Sequence, residues 1–115
     1  MNLLAYLRKL DTKRRDRKKR PEMKAFREAV ERLKPGDVAI DCGANVGKYT
    51  VEMARSGATV YAFEPNPAAY EELVAATREF PGVKTFHAAV TAEAGPVRLY
   101  LHKWSEEDPV YWSTG

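Results

Sequence analysis

The chain is poor in cysteine and contains no long apolar run. Cys42 is the one cysteine among its 115 residues, so we predict no internal disulfide and a reducing compartment. No apolar stretch reaches the roughly 20 residues that a transmembrane helix needs. The N-terminal residues are apolar first and basic afterwards, which is the reverse of the order in a secretory signal. These absences predict a cytoplasmic protein.

Histidine is also rare, which bears on metal binding. The chain has two histidines, His87 and His102, and neither has a cysteine or a second histidine at the spacing of a metal site. We therefore predict no bound metal. Cys42 lies in an apolar run beside Ile40, and we interpret it as a small core residue and not as a nucleophile.

Positive charge is concentrated in one segment. Residues 8–20 carry nine basic and two acidic side chains, a net +7, while the whole chain carries +3, so the remainder carries −4. The segment is either a solvated tether or, helped by the leucine face of residues 3–10, a contact with an anionic membrane surface. Binding to anionic vesicles that weakens with salt would support the contact, and absent binding would exclude it. Nucleic acid is disfavoured, because no aromatic residues interleave with the basic ones.

From residue 21 onwards, helix and strand patterns alternate. Pro21 suits the first turn of a helix, and we divide the chain there into an N-terminal segment (1–20) and a domain (21–115). A continuous apolar run at 37–42 predicts a strand covered on both faces, and a second such run at 58–63 predicts another strand. A third strand is predicted at 83–90, and apolar stripes between the strands predict helices. This order implies parallel strands joined by right-handed crossovers. A turn-rich segment followed by alternating residues at 97–104 predicts a hairpin.

A glycine-rich turn follows the first predicted strand in "DCGANVGKYT", from Asp41 to Thr50. Its glycines allow a ligand to approach the main chain without meeting a Cβ atom, and we expect free backbone N–H groups at the helix start. The next strand ends in "AFEPNP", which places Glu64 at its carboxyl end. An acid at that point accepts hydrogen bonds from the two hydroxyls of a ribose. Loop and acid together predict an adenosine-type ligand across the ends of neighbouring strands.

Two phosphate-binding motifs fit this loop poorly. A dinucleotide site requires G-x-G-x-x-G, whereas the loop reads G-A-N-V-G, and a P-loop requires Ser or Thr where Tyr49 follows Lys48. In the absence of any ligand, the loop would be a tight strand-to-helix turn. Asp41 would then cap backbone groups of the turn, and this alternative to ligand contact stays open for that residue.

The order of these motifs resembles that of a known family. The front half of an FkbM-type S-adenosylmethionine-dependent O-methyltransferase is similar to "DVAIDCGANVGKYT", "GATVYAFEPNP" and "FHAAVTAEAGPVRLY", over residues 35–100. The resemblance implies a Rossmann-like class I methyltransferase fold with S-adenosylmethionine as its cofactor. The cofactor-binding residues that it implies are Asp41, Gly43, Ala44, Asn45 and Gly47 around methionine and ribose, Glu64 on the ribose hydroxyls, Pro65 and Asn66 on the adenine side, and Ala88 and Ala89 beside the adenine ring.

The resemblance also implies strands that have no counterpart in this sequence. In the class I fold the first strand is central, and its other neighbour is a fourth strand that is missing here. We therefore expect a fold truncated to the first three parallel strands with helices and a following hairpin, and an exposed edge on the first strand. The pocket for the methyl acceptor, a small-molecule or sugar hydroxyl, and any catalytic base would lie in the missing part, so no catalytic residue is named. The alternative function is a non-catalytic half-domain that pairs through the open edge with itself or a partner.

Overall fold

The computed structural model describes residues 19–100 and, nearer the N-terminus, residues 3–5, 8, 12 and 15. Those N-terminal residues are helical. By their contacts, residues 1–32 and 33–115 form two compact units. Helix α1 (Pro21–Arg32) belongs to the first unit, so this division falls one helix later than the boundary predicted near Pro21. No helix in the described part of the chain has the length and apolar character that crossing a bilayer requires.

The second unit is built on three parallel strands in the order β1-β2-β3. The strands are β1 (Val38–Cys42), β2 (Thr59–Phe63) and β3 (Val83–Phe86). They are in register, so that Cys42 is opposite Phe63 and Phe63 is opposite Phe86. The predicted alternation of parallel strands and helices is confirmed, and the three carboxyl ends are aligned at one edge of the sheet.

Two helices connect these strands. Helix α2 (Lys48–Ala54) follows β1, and helix α3 (Pro67–Thr77) follows β2. The start of α3 is fixed locally, because the Asn66 side chain accepts hydrogen bonds from the backbone N–H groups of Ala68 and Ala69. A capping side chain followed by proline in the first turn is a strong helix start.

The helices cover only one face of the sheet. On that face Ala62 of β2 is fully buried and packs with Leu73 of α3 and with Ala44. On the opposite face Val38 and Ile40 are 61% and 66% exposed. The prediction that β1 is covered on both faces is therefore wrong, because side chains alternate along a strand and both α2 and α3 lie on the other face.

Cys42 lies on the same uncovered face, two residues after Ile40, and is exposed. Its predicted place in the core is therefore wrong. Its apolar neighbours in the sequence indicated burial, but they belong to a strand with one open face. On the same face, Phe86 stacks on Phe63 with ring centroids 4.8 Å apart.

The predicted hairpin is absent from the described residues. Strand β3 ends at Phe86 and not at Val90, because the Ala88 N–H donates to the Phe86 carbonyl at 2.9 Å and turns the chain. No strand is present between residues 87 and 100, and Val97 is 54% exposed. Residues 101–104 of the predicted second strand lie outside the described residues. An alternating pattern forms a strand only where a neighbouring strand accepts its backbone hydrogen bonds.

Candidate functional site

The aligned carboxyl ends of the strands bring three residues together at one edge of the sheet. Gly43 directly follows β1, Glu64 follows β2 and His87 follows β3. Because the strands are parallel and in register, these residues are neighbours in space although they are far apart in the sequence. This edge is where open parallel sheets bind their ligands.

The carboxylate of Glu64 joins the glycine loop to the start of α3. Its Oε2 atom accepts a hydrogen bond from the Asn45 N–H, and its Oε1 atom accepts one from the Asn66 N–H, both at 2.7 Å. The residue is 5% exposed. An ionised carboxylate has about four lone-pair sites, so each oxygen keeps one site after these two hydrogen bonds. Glu64 is thus a fixed, buried acceptor and not an exposed surface acid.

The backbone N–H groups of the glycine loop are bonded within the protein. Those of Gly43 and Ala44 both donate to the Phe63 carbonyl at 2.9 Å, and that of Gly47 donates to the Ala44 carbonyl at 3.0 Å. These loop amides are therefore not free, and the expectation of free N–H groups at the start of α2, from Lys48 onwards, stays a prediction. A turn packed against a strand end satisfies its own donors, because an unpaired buried N–H is costly.

The two glycines of the loop are required for different reasons. Gly43 has φ +78°, and a Cβ built on it meets no atom within 4 Å. Gly47 has φ +92°, and a Cβ there would lie 3.0 Å from Cδ1 of Leu73. Gly43 therefore borders open space, whereas Gly47 permits close packing of the loop against α3. Ala44, between them, is 5% exposed and belongs to the core.

Asp41 connects the end of β1 to α2. Its Oδ2 atom accepts a hydrogen bond from the hydroxyl of Thr50 at 2.7 Å, and Thr50 is fully buried. The sequence left two roles open for Asp41, contact with a ligand and capping of backbone groups in the turn. The hydrogen bonds described for this residue include none to a backbone N–H group of the turn. The bond instead fixes the direction in which the carboxylate leaves the strand.

A cavity of about 300 Å³ lies beside the turn that contains Glu64. Three residues that the family resemblance assigned to the adenine side, Pro65, Ala88 and Ala89, line it together. Asn66 does not, since its side chain caps α3. The remaining lining residues are His87, Gly95, Val97 and Leu99. Sequence reasoning missed these four, because their pattern indicated a strand and a hairpin.

No group of three or more His, Cys, Asp or Glu side chains within the described residues is placed to hold a metal ion.

A curated relative identifies the family. Over 80 residues the chain is 41% identical to the 31-O-demethyl-FK506 methyltransferase FkbM of Streptomyces tacrolimicus, a match that covers 67% of this chain. The chain belongs to the FkbM-type methyltransferase family. The match covers 30% of the relative, so this chain spans about a third of that protein's length. No protein-family model matches the chain.

Two solved structures share the fold of this FkbM-type chain at a TM-score of 0.50. The 23S rRNA methyltransferase ErmE is 25% identical, and the match covers 64% of this chain and 31% of ErmE. A protein of Clostridium thermocellum described as an rRNA methylase is 15% identical, with coverages of 57% and 40%. The predicted fold class is confirmed: the three strands and their helices are part of a Rossmann-like class I methyltransferase fold.

Proposed function

We propose that this chain binds S-adenosylmethionine at the carboxyl edge of its sheet, as the cofactor-binding part of an O-methyltransferase. The observation that carries the proposal is the carboxylate of Glu64. It is buried at the end of β2, it is fixed by two backbone N–H groups, and each of its oxygens keeps a lone-pair site. Two adjacent acceptors at such a position match the two hydroxyls of a ribose.

The surroundings of Glu64 suit the rest of that ligand. Open space next to Gly43 lets a ligand approach the end of β1. The cavity behind Pro65 is lined mainly by small and apolar residues, as the flat face of a purine requires. The bound cofactor would supply an activated methyl group on sulfur. The residues of this chain would orient its ribose through Glu64 and keep water away from its base through Pro65, Ala88 and Ala89.

The acceptor is proposed to be a hydroxyl group of a small molecule or a sugar. The FkbM relative is named for methylation at the 31-O position of its own substrate, which supports oxygen as the acceptor atom. In methyl transfer the acceptor oxygen displaces the sulfur from the methyl group. Holding the two reactants in the correct orientation accounts for much of the rate of this displacement, and a base helps to remove the hydroxyl proton. None of the residues described here is assigned as that base. Contact of residues 8–20 with an anionic membrane surface also stays a prediction.

A second candidate function is self-association through the edge of β1. Among the described strands, β1 pairs with β2 alone, and its exposed face carries Val38 and Ile40. Unpaired strand edges readily accept another strand. We expect a defined dimer in sedimentation equilibrium, shifted to monomer by Ile40→Lys. A monodisperse monomer of the unmodified chain would contradict this function.

The proposed cofactor site is tested by two matched glycine substitutions. Gly43→Ala places a methyl group in the open space at the end of β1, where the ligand would lie. A clash between this methyl group and the ligand should cost roughly 1–3 kcal/mol, so we expect binding of S-adenosylhomocysteine to weaken by about tenfold or more. Gly36→Ala is the control. Gly36 also has a left-handed backbone and open space around it, with φ +94°, but it precedes β1 at the opposite edge of the sheet.

Isothermal titration calorimetry on the two variants and the unmodified chain gives the readout. Binding that is weakened in Gly43→Ala and retained in Gly36→Ala supports the site. An unmodified chain that fails to bind, or equal affinity in all three proteins, contradicts it.

A further inference from the structure

His87 is the residue at the strand ends to which the sequence assigned no role. Its imidazole stacks on the ring of Tyr70, with ring centroids 4.8 Å apart and an angle of 13° between the planes. The hydroxyl of Tyr70 is in turn 3.3 Å from the hydroxyl of Thr85 in β3. The imidazole therefore has a defined position, although the residue is exposed.

The ring also makes one directed hydrogen bond. Nε2 of His87 lies 3.0 Å from the carbonyl oxygen of Pro65. Because a carbonyl oxygen only accepts, Nε2 carries the hydrogen and donates. This bond connects the end of β3 to the turn that follows β2.

The acceptor of this bond belongs to the same peptide group that holds Glu64. The Pro65 carbonyl and the Asn66 N–H form one planar trans unit, so its C=O and N–H point in opposite directions. Its N–H donates to Oε1 of Glu64 at 2.7 Å, while its C=O accepts from His87 at 3.0 Å. The two side chains thus hold one peptide plane from opposite sides, and bonds in such a chain polarise and strengthen one another.

We propose that His87 is a positioning residue that sets the orientation of the Glu64 carboxylate. Donation to the Pro65 carbonyl fixes the peptide plane, and the Asn66 N–H then fixes Oε1. The other oxygen is fixed independently by Asn45. This role rests on the proposed function, in which Glu64 receives the hydroxyls of a ribose. His87 acts through Glu64 and is not assigned a contact with the reacting atoms.

A positioning role and a lining role predict different ligand responses. His87 is also part of the cavity wall, and a residue that only lines the cavity would change the affinity for every adenosyl ligand equally. A residue that orients Glu64 instead changes how strongly the protein distinguishes a ribose from a deoxyribose. The informative quantity is the ratio of dissociation constants for S-adenosylhomocysteine and its 2′-deoxy analogue.

The test compares two substitutions of His87 in the full chain. His87→Phe keeps an aromatic ring to stack on Tyr70 but removes the donor. His87→Gln keeps an N–H donor near the position of Nε2 but removes the ring. We expect the unmodified chain to prefer the ribose ligand by about tenfold, as one hydrogen bond to a charged group gives. The preference should fall to about twofold in His87→Phe and remain near tenfold in His87→Gln.

The outcomes separate this inference from the proposed function. A full ribose preference in His87→Phe, or an equal loss in His87→Gln, would overturn the positioning role and leave the cofactor site intact. An unmodified chain without any ribose preference would overturn the proposed role of Glu64 itself. His87→Leu also lacks a donor, and it gives the same comparison if the phenylalanine variant does not fold.

Discussion

Replacing Glu64 with alanine is expected to lower the free energy of unfolding by about 3 kcal/mol or more and to abolish measurable binding of S-adenosylhomocysteine. The carboxylate accepts the N–H groups of Asn45 and Asn66, and it is 5% exposed. Alanine would leave both donors without their acceptor in a site that water barely reaches. Each such loss costs about 1–3 kcal/mol.

The matched control for this substitution is Glu71→Ala. Glu71 is exposed on α3 and carries the same charge, so its removal tests the effect of net charge alone. Urea unfolding followed by circular dichroism measures the stability of both variants. Equal stability of Glu64→Ala and Glu71→Ala would show that the two backbone hydrogen bonds do not hold the loop.

Binding needs a milder variant, because a destabilised loop would lose the ligand for structural reasons. Glu64→Gln keeps the size of the side chain and one acceptor oxygen, but its amide nitrogen cannot accept a hydrogen bond. We expect intermediate stability and clearly weaker binding, measured by calorimetry at a temperature where the variant is folded. Unchanged affinity in Glu64→Gln would contradict the ribose role.

The second large effect is expected at Gly47. Gly47→Ala combines a left-handed backbone, at about 1–2 kcal/mol, with overpacking against Leu73, at about 1–3 kcal/mol, so the free energy of unfolding should fall by roughly 2–5 kcal/mol. The new Cβ would lie 3.0 Å from Leu73 Cδ1 and 3.5 Å from Ala76 Cβ. Because Leu73 is fully buried, it has little room to move away.

A double-mutant cycle separates the two contributions at Gly47. Gly36→Ala carries the backbone cost without the contact, so it should cost about 1–2 kcal/mol. Leu73→Ala alone should cost about 2–5 kcal/mol through the cavity that it creates. In the double variant the methyl group at position 47 no longer meets Cδ1, and the combined cost should be less than additive. Strict additivity would contradict a steric role for Gly47.

Much of the fold was predictable because its signals are local. Two adjacent residues determine the start of α3: the side chain of Asn66 caps the helix, and Pro67 has a fixed φ angle that suits its first turn. Short apolar runs separated by helical stripes predicted three parallel strands, which the structure contains in that order. The position of Glu64 directly after a strand followed from the same pattern.

Burial was less predictable, because it depends on what covers a residue. The apolar run through Ile40 and Cys42 indicated a core strand, yet both residues are exposed on the face of the sheet opposite α2 and α3. The type of a residue in the sequence indicates only that its side chain would be more stable when buried. Only the arrangement of the elements decides whether a partner is present.

The sequence by itself determined the order of elements, the family and the identity of the acid at the end of β2. Only the tertiary structure decided how that acid is held, since Asn45 lies 19 residues away along the chain. It also decided that Gly43 borders open space whereas Gly47 packs against α3, and that His87 supports the turn after Glu64. These distinctions arise from contacts between separate strands and helices, and local patterns of residue type carry no information about such distances.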